Sequence, residues 1–203
     1  MRTTTEIYQL IQEENIIVNE LLLPNRKLGL YRKDSDGDFI FFHPSLNSNT
    51  PYLRCVLAEE LGHHFTLIGN YNYTGKVSYQ TFINSTKEEN KAIRWATEYL
   101  IETNKLLEMF YEENFSIYSL ADSFDVTPEF MLQKLYFMSY DLPQWYVANN
   151  KLLCLTCLPS FFISQIFDDQ KVLETKLKTY RRLSCKSTYQ KKQRNTVLKM
   201  NIQ

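Results

Sequence analysis

Residues 56–66, VLAEELGHHFT, contain the side chains of this sequence that are best suited to chemistry. The stretch is one histidine short of H-E-x-x-H, a helical pattern in which two ligands hold a metal ion and an adjacent carboxylate serves as general base. Residues i and i+4 lie on one helix face one turn apart, so both can reach a common ion. Here Glu59 occupies the position of the first histidine.

Two registers of this pattern have to be compared. Pairing Glu60 with His64 puts Leu61 at the general-base position, where an alkyl side chain cannot accept a proton. Pairing Glu59 with His63 puts Glu60 at that position and supplies both the ligands and the base. The spacing therefore favours Glu59 and His63 as metal ligands and Glu60 as the general base.

A carboxylate in place of the first histidine is chemically admissible, because carboxylates bind zinc at about 2.0–2.2 Å. It adds negative charge, which weakens the Lewis acidity of the ion and shifts the preference toward harder cations such as Mn or Mg. The alternative interpretation is that the two glutamates form a solvated helix face and the two histidines form a structural pair. The spacing alone leaves both interpretations open.

A third ligand has to come from outside this helix. His43 ends a predicted strand and is interpreted as a surface or hairpin residue, whereas Glu88 is assigned to a capping box with Ser85. Glu89 shares a predicted helix face with two alanines, where a buried carboxylate needs a partner. Glu89 is therefore the candidate third ligand, and an ion pair with an arginine remains the alternative for it.

The elements that would position these residues are helices and short strands. The patterns predict helices over about 3–14, 51–67, 86–107, 116–124 and 127–140, and strands over 16–23, 28–32 and 38–42. Thr50 is predicted to cap the motif helix with Pro51 as its first residue, and the flanking segments 44–51 and 70–85 are predicted loops. Beyond residue 143 we expect a strand and loop, a helix and a basic tail.

Charge and composition limit the function classes. The net charge is zero, so no global basic field favours nucleic acid. Residues 171–203 carry ten Lys/Arg against one acid, a pattern typical of a solvated helix with a tail, or of weak attraction to nucleic acid or an acidic surface. There is no signal peptide and no apolar run of about 18 residues, so we expect a cytoplasmic protein without membrane contact.

Two further patterns are weaker. Cys154 and Cys157 form a lone C-x-x-C, interpreted as two small apolar residues on a strand. The segment SLADSFDVTPEFMLQKL is patterned like a helix-turn-helix, but its second helix has one cation, Lys134, and Glu129 near its start. We therefore predict packing or substrate docking for this pair rather than DNA reading.

The ordered set of motifs resembles the ImmA/IrrE family of metallo-endopeptidases from phages and integrative elements, in a Glu-Glu-x-x-His variant of its zinc motif. The resemblance rests on LAEELGHH followed by E-x-x-A-x-x-W-A from Glu89, on the upstream GLY and FIFFHPSL, on LADSFDVTPEFMLQKL and, more weakly, on LPSFF. Together these cover about residues 5–165.

The resemblance implies an α+β fold in which a small mixed sheet packs on an active-site helix, as in a minimal gluzincin, followed by a helical region with the helix-turn-helix-like pair. It implies metal ligation by Glu59, His63 and Glu89, with Glu60 as general base and Zn, Mn or another divalent cation as cofactor. The expected activity is that of an endopeptidase acting on the helix-turn-helix repressor of its own mobile element. An antirepressor that binds this repressor without cleaving it is the alternative.

The predicted organisation has three parts. They are a metallopeptidase-like domain at 1–110, a helical and short-strand extension at 111–170, and a basic helix and tail at 171–203. A third hypothesis, a DNA-associated regulator, would act through that basic tail.

Overall fold

The computed structural model describes residues 2–24, 26–67, 79–111, 115–166, 171 and 173–179. The chain divides into two compact units, Met1–Phe137 and Met138–Gln203. The three-part organisation with boundaries at 110 and 170 stays a prediction.

The first unit combines helices with one small sheet. Its described elements are, in chain order, α1 (Thr4–Glu13), β1 (Ile16–Glu20), β2 (Gly29–Asp34), β3 (Gly37–Phe42), α2 (Thr50–Thr66), α3 (Tyr79–Leu100), α4 (Thr103–Met109), α5 (Ile117–Phe124) and α6 (Pro128–Asp141), of which α6 ends in the second unit. The α+β fold class is confirmed, and α5 and α6 lie where the two helices of the helix-turn-helix-like pair were predicted.

The sheet is mixed, with the strand order β1-β3-β2. β1 runs parallel to β3 and β2 runs antiparallel to it, with Asp34 opposite Gly37 at the closed end of the hairpin. Gly37 has a φ of +134°, which an L side chain rarely adopts, so glycine suits this turn position. The hairpin predicted from DSDGD is therefore confirmed.

The motif helix α2 begins differently from the prediction. Its N-cap is Asn49, whose side-chain oxygen accepts a hydrogen bond from the main-chain N–H of Tyr52 at 3.2 Å. Thr50 is the first helical residue, so the assignment of Thr50 as cap is wrong by one position. Asparagine competes well for this role because its short amide reaches the exposed N–H groups of the first turn. The predicted loop before it contains a 3-10 turn, Pro44–Ser48.

Helix α3 begins earlier than predicted and ends earlier too. It starts at Tyr79, so Ser85 lies inside the helix and the predicted capping box with Glu88 is wrong. Glu88 instead pairs with Lys91 at 2.8 Å. The single helix predicted over 86–107 is two helices, because the chain breaks after α3 and resumes as α4.

A buried lysine ties α3, α4 and α6 together. Lys134 is fully buried; its ammonium lies 2.9 Å from the Glu98 carboxylate and donates to the Thr103 hydroxyl at 2.8 Å. A buried ammonium needs such partners, because an unpaired charge in the interior is costly. The cation that the sequence places on the second helix of the pair is therefore not on the surface.

Helices α2 and α3 cross closely because small residues meet there. A Cβ added at Gly62 would lie 2.8 Å from the carbonyl carbon of Ala92, closer than any real contact of this type. Ala92 and Ala96 are fully buried. Interhelical distance depends on the side chains at the crossing, so these residues bring the motif helix next to the middle of α3.

Arg54 anchors the other end of α2. It is 2% exposed and donates to the carbonyl oxygens of Asp125 and Arg2, both at 2.8 Å, and to the Thr4 hydroxyl at 3.1 Å. These bonds connect α2 to the start of α1 and to the turn between α5 and α6. They satisfy a guanidinium that would otherwise be buried without partners.

The second unit contains an antiparallel sheet with the order β4-β5-β6, formed by Gln144–Tyr146, Lys151–Cys154 and Phe162–Gln165. Cys154 is buried on β5, but Cys157 is exposed in the following turn, so the interpretation of both as apolar strand residues is wrong for Cys157. Residue 171 and residues 173–179 are helical. Residues 180–203 of the predicted basic helix and tail at 171–203 lie outside the described residues.

None of the described helices has the length and apolar character needed to cross a membrane.

Candidate metal centre

The three predicted metal ligands come together where the last two turns of α2 pass the middle of α3. One ligand atom from each of Glu59, His63 and Glu89 can be chosen so that all three lie within 4.8 Å of one another. The closest described approach joins His63 Nε2 and Glu89 Oε2 at 3.2 Å. The i to i+4 spacing aligns the first two on one helix face, and the close helix crossing brings in the third.

These distances fit a divalent ion. Two ligand atoms on a tetrahedral ion with bonds of about 2.0–2.2 Å lie about 3.3–3.6 Å apart. The pair of His63 and Glu89 is already near that spacing, and small rotations of the carboxylates would close the remaining gap. Two carboxylate oxygens and one imidazole nitrogen form a donor set that suits zinc and also manganese.

The prediction that the Glu89 carboxylate faces the core is wrong. The Glu89 side chain is 52% exposed, and its carboxylate contacts His63 of α2. The hydrogen bond with His63 holds the pKa of Glu89 below its usual value, and Lys27 contributes in the same direction. The three-residue group therefore opens to solvent at Glu89.

Glu60 is buried, not part of a solvated helix face. It is 7% exposed, and this burial raises its pKa to about 7. The charge of His63 lowers this pKa and the charge of Glu59 raises it, which shows how near Glu60 is to the ligand group. A carboxylate with a pKa near neutrality can both accept and return a proton at physiological pH.

Strand β2 covers Glu60 on its other side. The main chain of Tyr31 hydrogen-bonds the Glu60 carboxylate, which favours its ionised form. A Cβ at Gly29 would overlap Glu60 Oε1 and would lie 2.6 Å from Val56 Cγ1, so glycine is needed for this close approach. The spacing rules do not identify Gly29 and Tyr31; the only signal for them is the GLY stretch among the motifs of the family resemblance.

His64 points away from the ligand group. Its Nδ1 lies 3.1 Å from Asp38 Oδ2 and 3.1 Å from Tyr31 Oη, and its Nε2 lies 3.4 Å from Glu14 Oε2. Consecutive helical residues diverge by about 100°, so His64 faces the sheet while its neighbour faces α3. The structure thus connects His64 to α1, β2 and β3.

His43, the remaining candidate ligand, is also engaged elsewhere. Its Nδ1 accepts a hydrogen bond from the main-chain N–H of Ser45 at 3.2 Å and caps the 3-10 turn. It does not belong to the ligand group that the described residues form.

The electrostatics of the group favour a bound cation or protons. Burial raises the pKa of Glu59, and the nearby charge of Glu89 raises it further. Burial lowers the pKa of His63, but the hydrogen bond with Glu89 and the charges of the three carboxylates outweigh it, so this pKa lies above its ordinary value. Without a metal, the site reduces carboxylate repulsion by retaining protons.

Comparisons with known proteins agree with this arrangement. No curated protein and no solved structure matches the chain significantly. The family model described as the IrrE N-terminal-like domain, Peptidase M78, matches residues 11–136. This range covers more than half of the chain and spans the sheet, the motif helix, α3 and nearly all of the α5–α6 pair. The chain therefore belongs to the peptidase M78 family, whose members have an IrrE N-terminal-like domain.

Proposed function

We propose that this protein is an endopeptidase that depends on a divalent metal ion, with Glu59, His63 and Glu89 as the ligands and Glu60 as the general base. The observation that carries the proposal is the gathering of three ligand atoms within 4.8 Å beside a buried carboxylate. Family membership supports peptidase chemistry in general.

The residues around the ligand group have separate tasks. A divalent cation held there would supply Lewis-acid polarisation and would lower the pKa of a neighbouring water. Glu60 takes the proton from the attacking water and returns it to the leaving amine, for which a pKa of about 7 is well placed. The Tyr31 main chain holds the Glu60 carboxylate in position, and Gly29 leaves the space that it needs.

The proposed substrate is a cytoplasmic protein, the helix-turn-helix repressor of the phage or mobile element that encodes this chain. The family resemblance supports this choice. The exposure of Glu89 is compatible with it, because a segment of a protein substrate can reach the ligand group from solvent. Zinc is the proposed ion, with manganese as the alternative that the two carboxylates favour.

The experiment combines metal analysis with cleavage. The wild type, Glu60→Gln and the exposed control Glu108→Gln are loaded with zinc or manganese, and the bound metal and the cleavage of the cognate repressor are measured. We expect one ion per chain in all three proteins, cleavage by the wild type and the control, and a loss of at least about 100-fold in Glu60→Gln. A metal-loaded wild type that binds the repressor without cutting it would overturn the proposal and favour the antirepressor.

A further inference from the structure

The two edges of the first unit's sheet have different characters. β2 carries three consecutive charged residues, Arg32 to Asp34, and has Glu60 of α2 against it. β1 contains no lysine, arginine or proline, and its Ile17 is 49% exposed. Natural sheets usually protect an open edge with charges, proline or a covering element. By these criteria β1 is the less protected edge.

The outer side of β1 offers main-chain hydrogen-bonding groups. Beyond the paired residues, the Leu21 N–H donates to the Phe42 carbonyl at 3.0 Å. In a parallel ladder, alternate residues direct both main-chain groups to the same neighbour, so the odd-numbered residues face β3. The N–H and C=O groups of Ile16, Val18 and Glu20 therefore face outward, where no strand of the described part pairs with them.

A groove of about 470 Å³ lies between α1 and β1 and also reaches Phe42 of β3. Its apolar side chains include Ile11 and Val18, and its polar ones include Tyr8, Gln12 and Glu20. Burial raises the pKa of Tyr8 and the charge of Glu20 raises it further, so the Tyr8 hydroxyl stays a hydrogen-bond donor. Glu20 is the one formal charge among the residues that line this groove.

We infer that the groove between α1 and β1 binds an extended, apolar segment of a partner protein, which adds to β1 as a fourth strand and places a Lys or Arg beside Glu20. The outward main-chain groups supply hydrogen bonds, and the apolar lining supplies contact area. A second copy of this chain fits less well, because pairing β1 with β1 would bring a second Glu20 and no cation. The surface is separate from the ligand group, so this inference does not depend on peptidase activity.

The test uses a fluorescein-labelled peptide of seven residues, made of valine and threonine with one central lysine, and fluorescence anisotropy with the full chain. Two further versions are N-methylated at alternate residues, one at the odd and one at the even positions. Because only alternate residues face β1, one methylated version should lose about tenfold in affinity and the other should retain it. Equal behaviour of the two versions would overturn strand addition.

Variants locate the site. Glu20→Gln should weaken binding of the lysine peptide about threefold, since exposed ion pairs are modest, and Glu20→Lys should prefer a peptide with a central glutamate. The matched control Glu13→Gln removes an exposed charge of α1 that does not line the groove, and it should bind like the wild type. Binding that is unaffected at Glu20 but lost in Glu60→Gln would place the peptide at the ligand group and refute the inference. If analytical ultracentrifugation shows that the chain forms a dimer, and if the peptide does not dissociate this dimer, a second copy of the chain would be the occupant instead.

Discussion

The substitution Gly29→Ala separates the positioning of the general base from metal binding. The added Cβ would overlap the Glu60 carboxylate and would lie 2.6 Å from Val56 Cγ1, where ordinary contacts are 3.4 Å or longer. Relief of the Val56 contact alone needs a movement of about 0.8 Å, and relief of the closer overlap with the Glu60 carboxylate needs more. Because Glu60 ends in a flexible carboxylate and Val56 is stiff, we expect the carboxylate to be displaced.

The displacement should affect catalysis far more than the fold. A misplacement of about 1 Å at a reacting group can cost about 100-fold in rate, whereas overpacking of this kind costs about 1–3 kcal/mol of stability. Metal affinity should change less than about threefold, because the overlapping atoms belong to none of the three proposed ligands.

The hairpin supplies a matched control, Gly37→Ala. That position has a φ of +134° and no atom within 4 Å of an added Cβ, so the cost is backbone strain of about 1–3 kcal/mol without a clash at the site. Cleavage rate, metal affinity by calorimetry and thermal unfolding are measured for both variants. If Gly29→Ala cleaves as fast as Gly37→Ala at equal stability, the assigned role of the close approach at Glu60 is refuted.

Three further predictions follow from the site and from α2. The metal-free Glu60→Gln protein should match the wild type in stability below pH 4.5 and exceed it by up to about 3 kcal/mol at pH 8. The reason is that a carboxylate whose pKa is raised to about 7 in the folded protein costs stability as it ionises. Equal denaturant midpoints of the two proteins at pH 8 would contradict this prediction. Metal affinity, measured by calorimetry, should fall as the pH drops through the raised pKa of His63, because the proton competes with the ion. In the metal-free protein, protonated His63 stabilises the fold, and this stabilisation should be lost as the pH rises through the same pKa. Asn49→Ala should cost about 1 kcal/mol in unfolding experiments and Thr50→Ala much less; the reverse order would restore Thr50 as the cap.

Local rules predicted the parts of the fold that depend on neighbouring residues. The helix period predicted α1, and the turn chemistry of DSDGD predicted the hairpin. The register comparison in the motif named Glu59 and His63, and the structure brings both together with Glu89. The helix and hairpin predictions succeed because helix and turn geometry fix which residues share a face within one or two turns, whereas metal ligation by the three residues stays a prediction.

The features that the sequence did not predict depend on distant residues. Glu89 is exposed because the helix crossing at Gly62 and Ala92 sets how α3 passes α2, and periodicity within one helix cannot specify that crossing. The approach of Gly29 to Glu60 joins residues that are far apart in the chain. The burial of Lys134 was not predicted either, because its partners lie on α3 and α4 and its burial follows only from the packing of three helices.

The replacement of a histidine by Glu59 changes the charge of the centre more than its geometry. The two proposed carboxylate ligands and Glu60 bring three negative charges to one imidazole, so a divalent ion bound there would leave a net charge of −1, carried by Glu60. Burial raises the pKa of Glu60, and an ion whose charge the two carboxylate ligands already neutralise would offset that rise less than an ion with a second histidine ligand. The additional negative charge should strengthen the binding of a cation, but it should also make the bound cation a weaker Lewis acid. Tight metal binding, with slower cleavage than a site with two histidine ligands would support, is therefore the expected behaviour of this centre.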